Sequence, residues 1–98
     1  MSKIDFTSID SAQVVIPCGE LNETLEFFID TLSFSMKKIY PADSPRIAII
    51  SGFGVTLRLE ISDITTQSKL RLLSNDYAFV KKHDKGLVAP NGMLVEFE

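Results

Sequence analysis

The sequence predicts an α+β protein whose elements run β-α-β-β-β, followed by weaker structure and a closing strand. Three observations predict it. Leu21, Leu25, Phe28, Ile29 and Leu32 recur at helical spacing. Residues 55–61 alternate apolar and polar throughout. Proline and glycine clusters at 41–45, 52–54 and 90–92 separate the remaining apolar runs.

Residues 1–11 are polar and read as a loosely attached arm. Gln13-Val14-Val15-Ile16-Pro17 is a short β-branched run stopped by proline, hence a strand. Cys18-Gly19-Glu20 is a turn. Asn22 is the expected N-cap, with Glu23 and Glu26 complementing the helix dipole, so the helix is expected over Glu23 to Leu32. Phe34 to Tyr40 is a strand whose apolar phase slips at Lys38, and Pro41 to Pro45 is a loop. Arg46 to Ser51 reads as a buried strand. Gly52-Phe53-Gly54 is a three-residue hairpin turn whose glycines supply positive φ. In the strand Val55 to Ile61, Val55, Leu57, Leu59 and Ile61 share one face, and Thr56, Arg58 and Glu60 share the other. Residues 62–68 are a polar connector, 69–73 a weaker strand and 77–82 a helical turn. Leu87-Val88 leads into a turn at Ala89 to Gly92. A last strand runs from Met93 to Glu98, with Met93, Val95 and Phe97 on one face.

The chain has 98 residues, 45% of them apolar and 23% charged, with a mean hydropathy of +0.15. That is a globular composition and one domain's worth, residues 1–98. A domain of this size buries only ~65% of its unfolded surface and gains from a partner subunit. Ten basic against thirteen acidic residues give a net charge of −3. Such a surface carries no electrostatic footprint for nucleic acid or anionic lipid. Lys81-Lys82-His83 is the longest basic cluster, and Asp84 follows it, as at a solvated helix end. The single cysteine, Cys18, excludes an internal disulfide, and the only histidine available to activate it is His83. The N-terminus has no signal-peptide pattern, and no apolar run approaches the ~20 residues of a membrane span. A cytoplasmic protein that contacts neither membrane nor nucleic acid is expected.

Taken in order, Val14-Val15-Ile16-Pro17, Glu20-Leu21, Phe27-Phe28, Leu32-Ser33-Phe34, Gly54 to Glu60 and Pro90 to Phe97 carry a likeness. They resemble the glyoxalase/bleomycin-resistance/dioxygenase superfamily, also called vicinal oxygen chelate. Ser33 stands where that pattern has glycine. The resemblance covers residues 12–61 well, 87–98 fairly and 62–86 poorly. The stretch Val14 to Leu59 is also similar to glyoxalase-like domains sometimes fused to a cupin; this chain carries no cupin segment and resembles the isolated domain. The resemblance implies a βαβββ module over 12–61, a short degenerate second half over 62–98, and a curved mixed sheet forming a cup. It also implies a homodimer, because members pair two modules around a ligand cavity.

The superfamily's enzymes hold a divalent metal with His, Gln or Glu on the first and fourth strands of a module. Carried over by position, those ligands fall on Gln13 and Arg58, the closing glutamate on Glu96, and the second half's first-strand ligand near Lys69 or Leu70. A guanidinium is permanently cationic and offers no acceptor, so Arg58 repels a metal. Gln13 and Glu96 alone are too few for a tight site. No metal and no other cofactor is therefore expected, and no catalytic residue is assigned.

The favoured expectation is a metal-independent binding protein for a small anionic molecule. Gln13, Arg58 and Glu96 would floor its cup, and Phe, Met and Tyr side chains would wall it. The plainer reading of Arg58 is a cup-lining residue paired with Glu60 or Glu96, and Gln13 and Glu96 can equally be ordinary polar edge residues. The alternative function is a metal-dependent lyase, isomerase or dioxygenase whose site is completed across a dimer. A third is an interaction module whose cup is filled by its own side chains. Whether the chain is an enzyme stays open at this point.

Overall fold

The computed structural model describes residues 4–63 and 68–98. Its first half is a four-stranded sheet in the order β1-β4-β3-β2, built from β1 (Val14–Cys18), β2 (Ser35–Tyr40), β3 (Ile47–Gly52) and β4 (Val55–Ile61). β1 lies parallel to β4, and the other pairings are antiparallel. The second half is a three-stranded sheet in the order β5-β7-β6, built from β5 (Lys69–Leu72), β6 (Leu87–Val88) and β7 (Leu94–Phe97). In both sheets the first strand runs parallel beside the last. The second half thus repeats the first with one strand fewer. Helix α1 (Leu21–Glu26) follows β1, and α2 (Tyr77–Lys82) follows β5.

Helix α1 begins two residues before the expected start. Glu20 is its N-cap, and Asn22 sits inside the first turn. Leu21 is buried and must be helical to turn its side chain onto the sheet. The fully buried Thr24 hydroxyl donates to the Glu20 carbonyl at 2.8 Å and secures that first turn without an Asn cap. The chain then widens into a π turn over Phe27–Thr31. The Leu32 and Phe34 amides donate back to the carbonyls of Phe27 and Phe28, at 3.2 and 2.9 Å. Ser33 between them has φ +65°, the left-handed conformation that usually falls to glycine after a helix.

The slip of apolar phase in β2 is a bulge: the register with β3 shifts between Met36 and Lys38. The β3–β4 hairpin is tighter than expected. Gly52 pairs with Val55, so the loop has two residues, Phe53 (φ +53°) and Gly54 (φ +82°), as in a type I′ turn. Gly52 serves packing, since a Cβ there would lie 3.0 Å from the Phe34 ring. β1 does not stop at Pro17 but continues to Cys18; on an edge strand the missing N–H is tolerated. The connector expected over 62–68 is described only at 62, 63 and 68.

Leu57 and Leu59 turn their side chains into one core with Ile16, Leu21, Phe28 and Ile50. Ala89, Met93 and Val95 of the second half enter the same core. Asn91 ties the two halves: its Nδ2 donates to the Pro17 carbonyl at 3.1 Å, and its Oδ1 accepts from the Met93 amide. Among the described residues no helix is long and apolar enough to cross a membrane. The radius of gyration is 15.4 Å, where a compact chain of this length has about 13 Å.

Candidate functional site

The alternation of β4 decides which side chains meet. Leu57 and Leu59 face the core, so Thr56, Arg58 and Glu60 face the opposite, helix-free side of the sheet. Register places Arg58 between Ile49 of β3 and Val15 of β1, and Glu60 beside Ile47. Tyr40, the register partner of Ile47, brings its ring beneath this row.

Arg58 Nε donates to Glu60 Oε1 at 2.5 Å, and its guanidinium stands 5.6 Å over the Tyr40 ring. Lys38 Nζ lies 5.7 Å from the same ring centre. Two cations therefore share the ring, and the Glu60 carboxylate holds one of them. The Arg58 side chain keeps 28% of its surface exposed. Among the described residues its two Nη groups have no hydrogen-bond partner. Around it the face is apolar: Ile49 is buried beneath, and Val15 is exposed beside it.

Gln13 lies one residue before β1 and is exposed; the alternation of the strand carries it to Val15's side. Glu96 is elsewhere. It sits in β7 as the register partner of Arg71 and accepts from Arg71 Nη2 at 3.1 Å, while Lys69 Nζ lies 3.2 Å away. The Arg71 bonds, then those of Lys69, hold its carboxyl below the usual carboxylate range. Arg58 and Glu96 thus close ion pairs within their own sheets. Among the described residues no hydrogen bond or salt bridge joins either of them to the other or to Gln13.

Cys18 is buried, with Sγ 3.4 Å from the Glu60 carbonyl. Burial pushes its thiol up, so it stays protonated near neutrality. His83 lies at the end of α2 against the rings of Phe79 and Phe97. Neither residue is arranged as a nucleophile with a base.

Nothing in the sequence points to the concavity on the other side of the first sheet. A groove of about 880 Å³ opens between the end of the π turn, the β3–β4 hairpin and the helix-covered side of the second sheet. Val55, Leu72, Phe53, Phe79, Phe97 and His83 line it. Its walls come from segments far apart in the chain, and one wall belongs to residues 62–86, where the resemblance is poorest. Gln13, Arg58 and Glu96 are not among its lining residues.

The divalent metal of the superfamily's enzymes does not fit the residues present. A guanidinium occupies the fourth-strand position, and Glu96 is already neutralised by two cations in the other sheet. Among the described residues no three His, Cys, Asp or Glu side chains converge.

No protein-family model matches the sequence, and no curated protein matches it. Solved structures do match. Lactoylglutathione lyase from Agrobacterium tumefaciens superposes with a TM-score of 0.69 at 13% identity, covering 91% of this chain and 92% of that one. A glyoxalase/bleomycin resistance protein/dioxygenase from Alicyclobacillus acidocaldarius gives 0.66 at 17% identity, over 91% and 89%. The bleomycin-binding protein of Streptomyces verticillus, solved with copper(II)-bleomycin, gives 0.62 at 14% identity, over 99% and 97%. At these identities the likeness is one of architecture: the chain has the α+β fold of the glyoxalase/bleomycin-resistance/dioxygenase superfamily.

Proposed function

We propose that this protein binds a small anionic molecule with an apolar body on the helix-free face of the first sheet, as a homodimer, with Arg58 as the anion receptor. The placement of Arg58 carries the reading. Glu60 holds Nε and Tyr40 supports the guanidinium plane, so the fork is oriented before any ligand arrives. Both Nη groups then match a carboxylate or phosphate bidentately. Lys38 adds positive charge, while Ile49 and Val15 offer apolar surface. Gln13 joins from the same face as a neutral hydrogen-bonding group. Glu96 is held in the other sheet and takes part only where the second sheet of another copy covers this face. The reading asks for no metal and no catalytic group. A structural neighbour named for binding bleomycin supports small-molecule binding on this fold.

The chain's surface supports the homodimer. It exposes 7253 Å², where a compact monomer of this mass exposes about 5,600 Å². The wholly exposed stretch 4–15 contributes to that surplus, and a stable pairing covers roughly 800 Å² or more per partner. β1 is an edge strand, and its Val14 and Val15 are more than half exposed.

The test begins with a thermal-shift screen of carboxylates and phosphates. Calorimetry on the best compound then compares the parent chain with Arg58→Ala. Hydrogen bonds to a charged group contribute about 1.5–3 kcal/mol, so the variant should bind on the order of 10- to 100-fold more weakly. Unchanged affinity in the variant rejects the reading, as does tight one-to-one binding of Ni²⁺, Zn²⁺ or Mn²⁺.

A further inference from the structure

We infer that the groove between the two halves is a second binding site, and that it takes an amphipathic carboxylate: one acid head on an apolar body. The proposal is independent of Arg58, which lies on the other side of the first sheet.

Size and lining come first. About 880 Å³ falls within the roughly 300–1,000 Å³ of small-molecule sites. Three phenylalanines flank it, and two of them, Phe53 and Phe79, stay substantially exposed. An apolar body removes that surface from water.

Charge then selects the head. The polar groups on the groove wall are Arg71, His83 and the hydroxyls of Thr31, Ser33 and Ser74; no Asp or Glu lines it among the described residues. Arg71 is already bound to Glu96 and Glu98, which leaves His83. His83 is half-buried, with its ring centre 4.6 Å from Phe79 and 5.6 Å from Phe97. Among the described residues its ring nitrogens have no hydrogen-bond partner. A carboxylate supplies that partner by accepting from a ring N–H, while the Phe79 and Phe97 rings hold the imidazole in place. The flanking segment 81–85 carries three lysines against one Asp84, so a cationic head is repelled.

The test uses the full chain and three ten-carbon probes below their micellar concentrations: decanoate, decanol and decyltrimethylammonium. Binding is read by calorimetry and by amide NMR shifts. Decanoate should bind one per chain, with shifts at Phe79, His83 and Phe97, and the ammonium probe at least tenfold more weakly. His83→Gln should weaken decanoate about tenfold and leave decanol unchanged. Phe53→Asp is the second variant, placed at an exposed turn position whose positive φ suits Asp. It sets a carboxylate at the groove mouth and should also weaken decanoate at least tenfold. Arg58→Ala should leave the decanoate-induced shifts at Phe79, His83 and Phe97 intact and remove any at Tyr40, so failure of the two sites can be told apart. Equal binding of the ammonium probe, indifference to both groove variants, or shifts centred on Tyr40 and Arg58 would overturn the proposal. So would a dimer that covers the groove and excludes decanoate.

Discussion

Ser33 occupies a backbone state that its side chain resists. At φ +65° its Cβ crowds the following carbonyl, a penalty of about 1–2 kcal/mol for a residue other than glycine. The position closes the π turn, so the chain has no alternative path there without unseating Phe34 from the core. The sequence marks the place, because Leu32-Ser33-Phe34 carries serine where the superfamily pattern has glycine. Ser33→Gly should relieve the strain and return about 0.4–1 kcal/mol of it through the freer unfolded chain. The expected outcome is a net stabilisation of about 0.5–1 kcal/mol, read as a higher urea midpoint with an unchanged slope. An unchanged or lowered midpoint would show that Ser33 is not strained. Gly86 is the converse case: its φ is +70°, and a Cβ there would lie 2.5 Å from the Val95 carbonyl oxygen, so backbone contact fixes the residue type.

The pairing of β5 with β7 is laced by charge on its outer face, where Glu96 accepts from Arg71 and lies beside Lys69. Those bonds lower the Glu96 carboxyl below its unfolded range, so ionised Glu96 favours the folded chain. Its contribution is fully present above the ordinary carboxylate range. It is lost as pH falls through that range toward the lowered folded value. Glu96→Gln should therefore flatten the acid side of the stability-against-pH curve and leave its shape above pH ~6 unaltered. An identical acid limb in both proteins would rule the contribution out. The strand that places this charge was readable within a residue, as was β4, because strict alternation leaves one register that buries the apolar set. Boundaries set by tertiary contact were not. Leu21 drew the helix start forward, and the Phe34 ring, not the turn, accounts for Gly52. The site divides in the same way. The face of Arg58 follows from β4 alone, but its neighbours Tyr40 and Lys38 reach it across a bulged pairing that spacing does not fix. The groove joins residues 31–33, 53–55 and 70–97, a juxtaposition no local pattern encodes.

Two sheets that share no strand can still unfold as one body if they share a core, and Val95 decides which holds here. It is fully buried, and it packs in the cluster that contains Ile16, Phe28, Leu57 and Leu59 of the first half. The second sheet has only three strands, and β6 is two residues long. Such a sheet is marginal without a face to pack on. The first sheet in turn would expose the same apolar surface to water if β7 left. Truncating Val95 to alanine removes two methyl groups from a site ringed by both halves. The cost should be about 1–3 kcal/mol, from lost transfer energy and the cavity left behind. If the halves are one cooperative unit, that loss appears equally in hydrogen-exchange protection of Leu59 in β4 and of Leu72 in β5. A second half held on as an appendage would instead lose protection alone, with β4 unaffected.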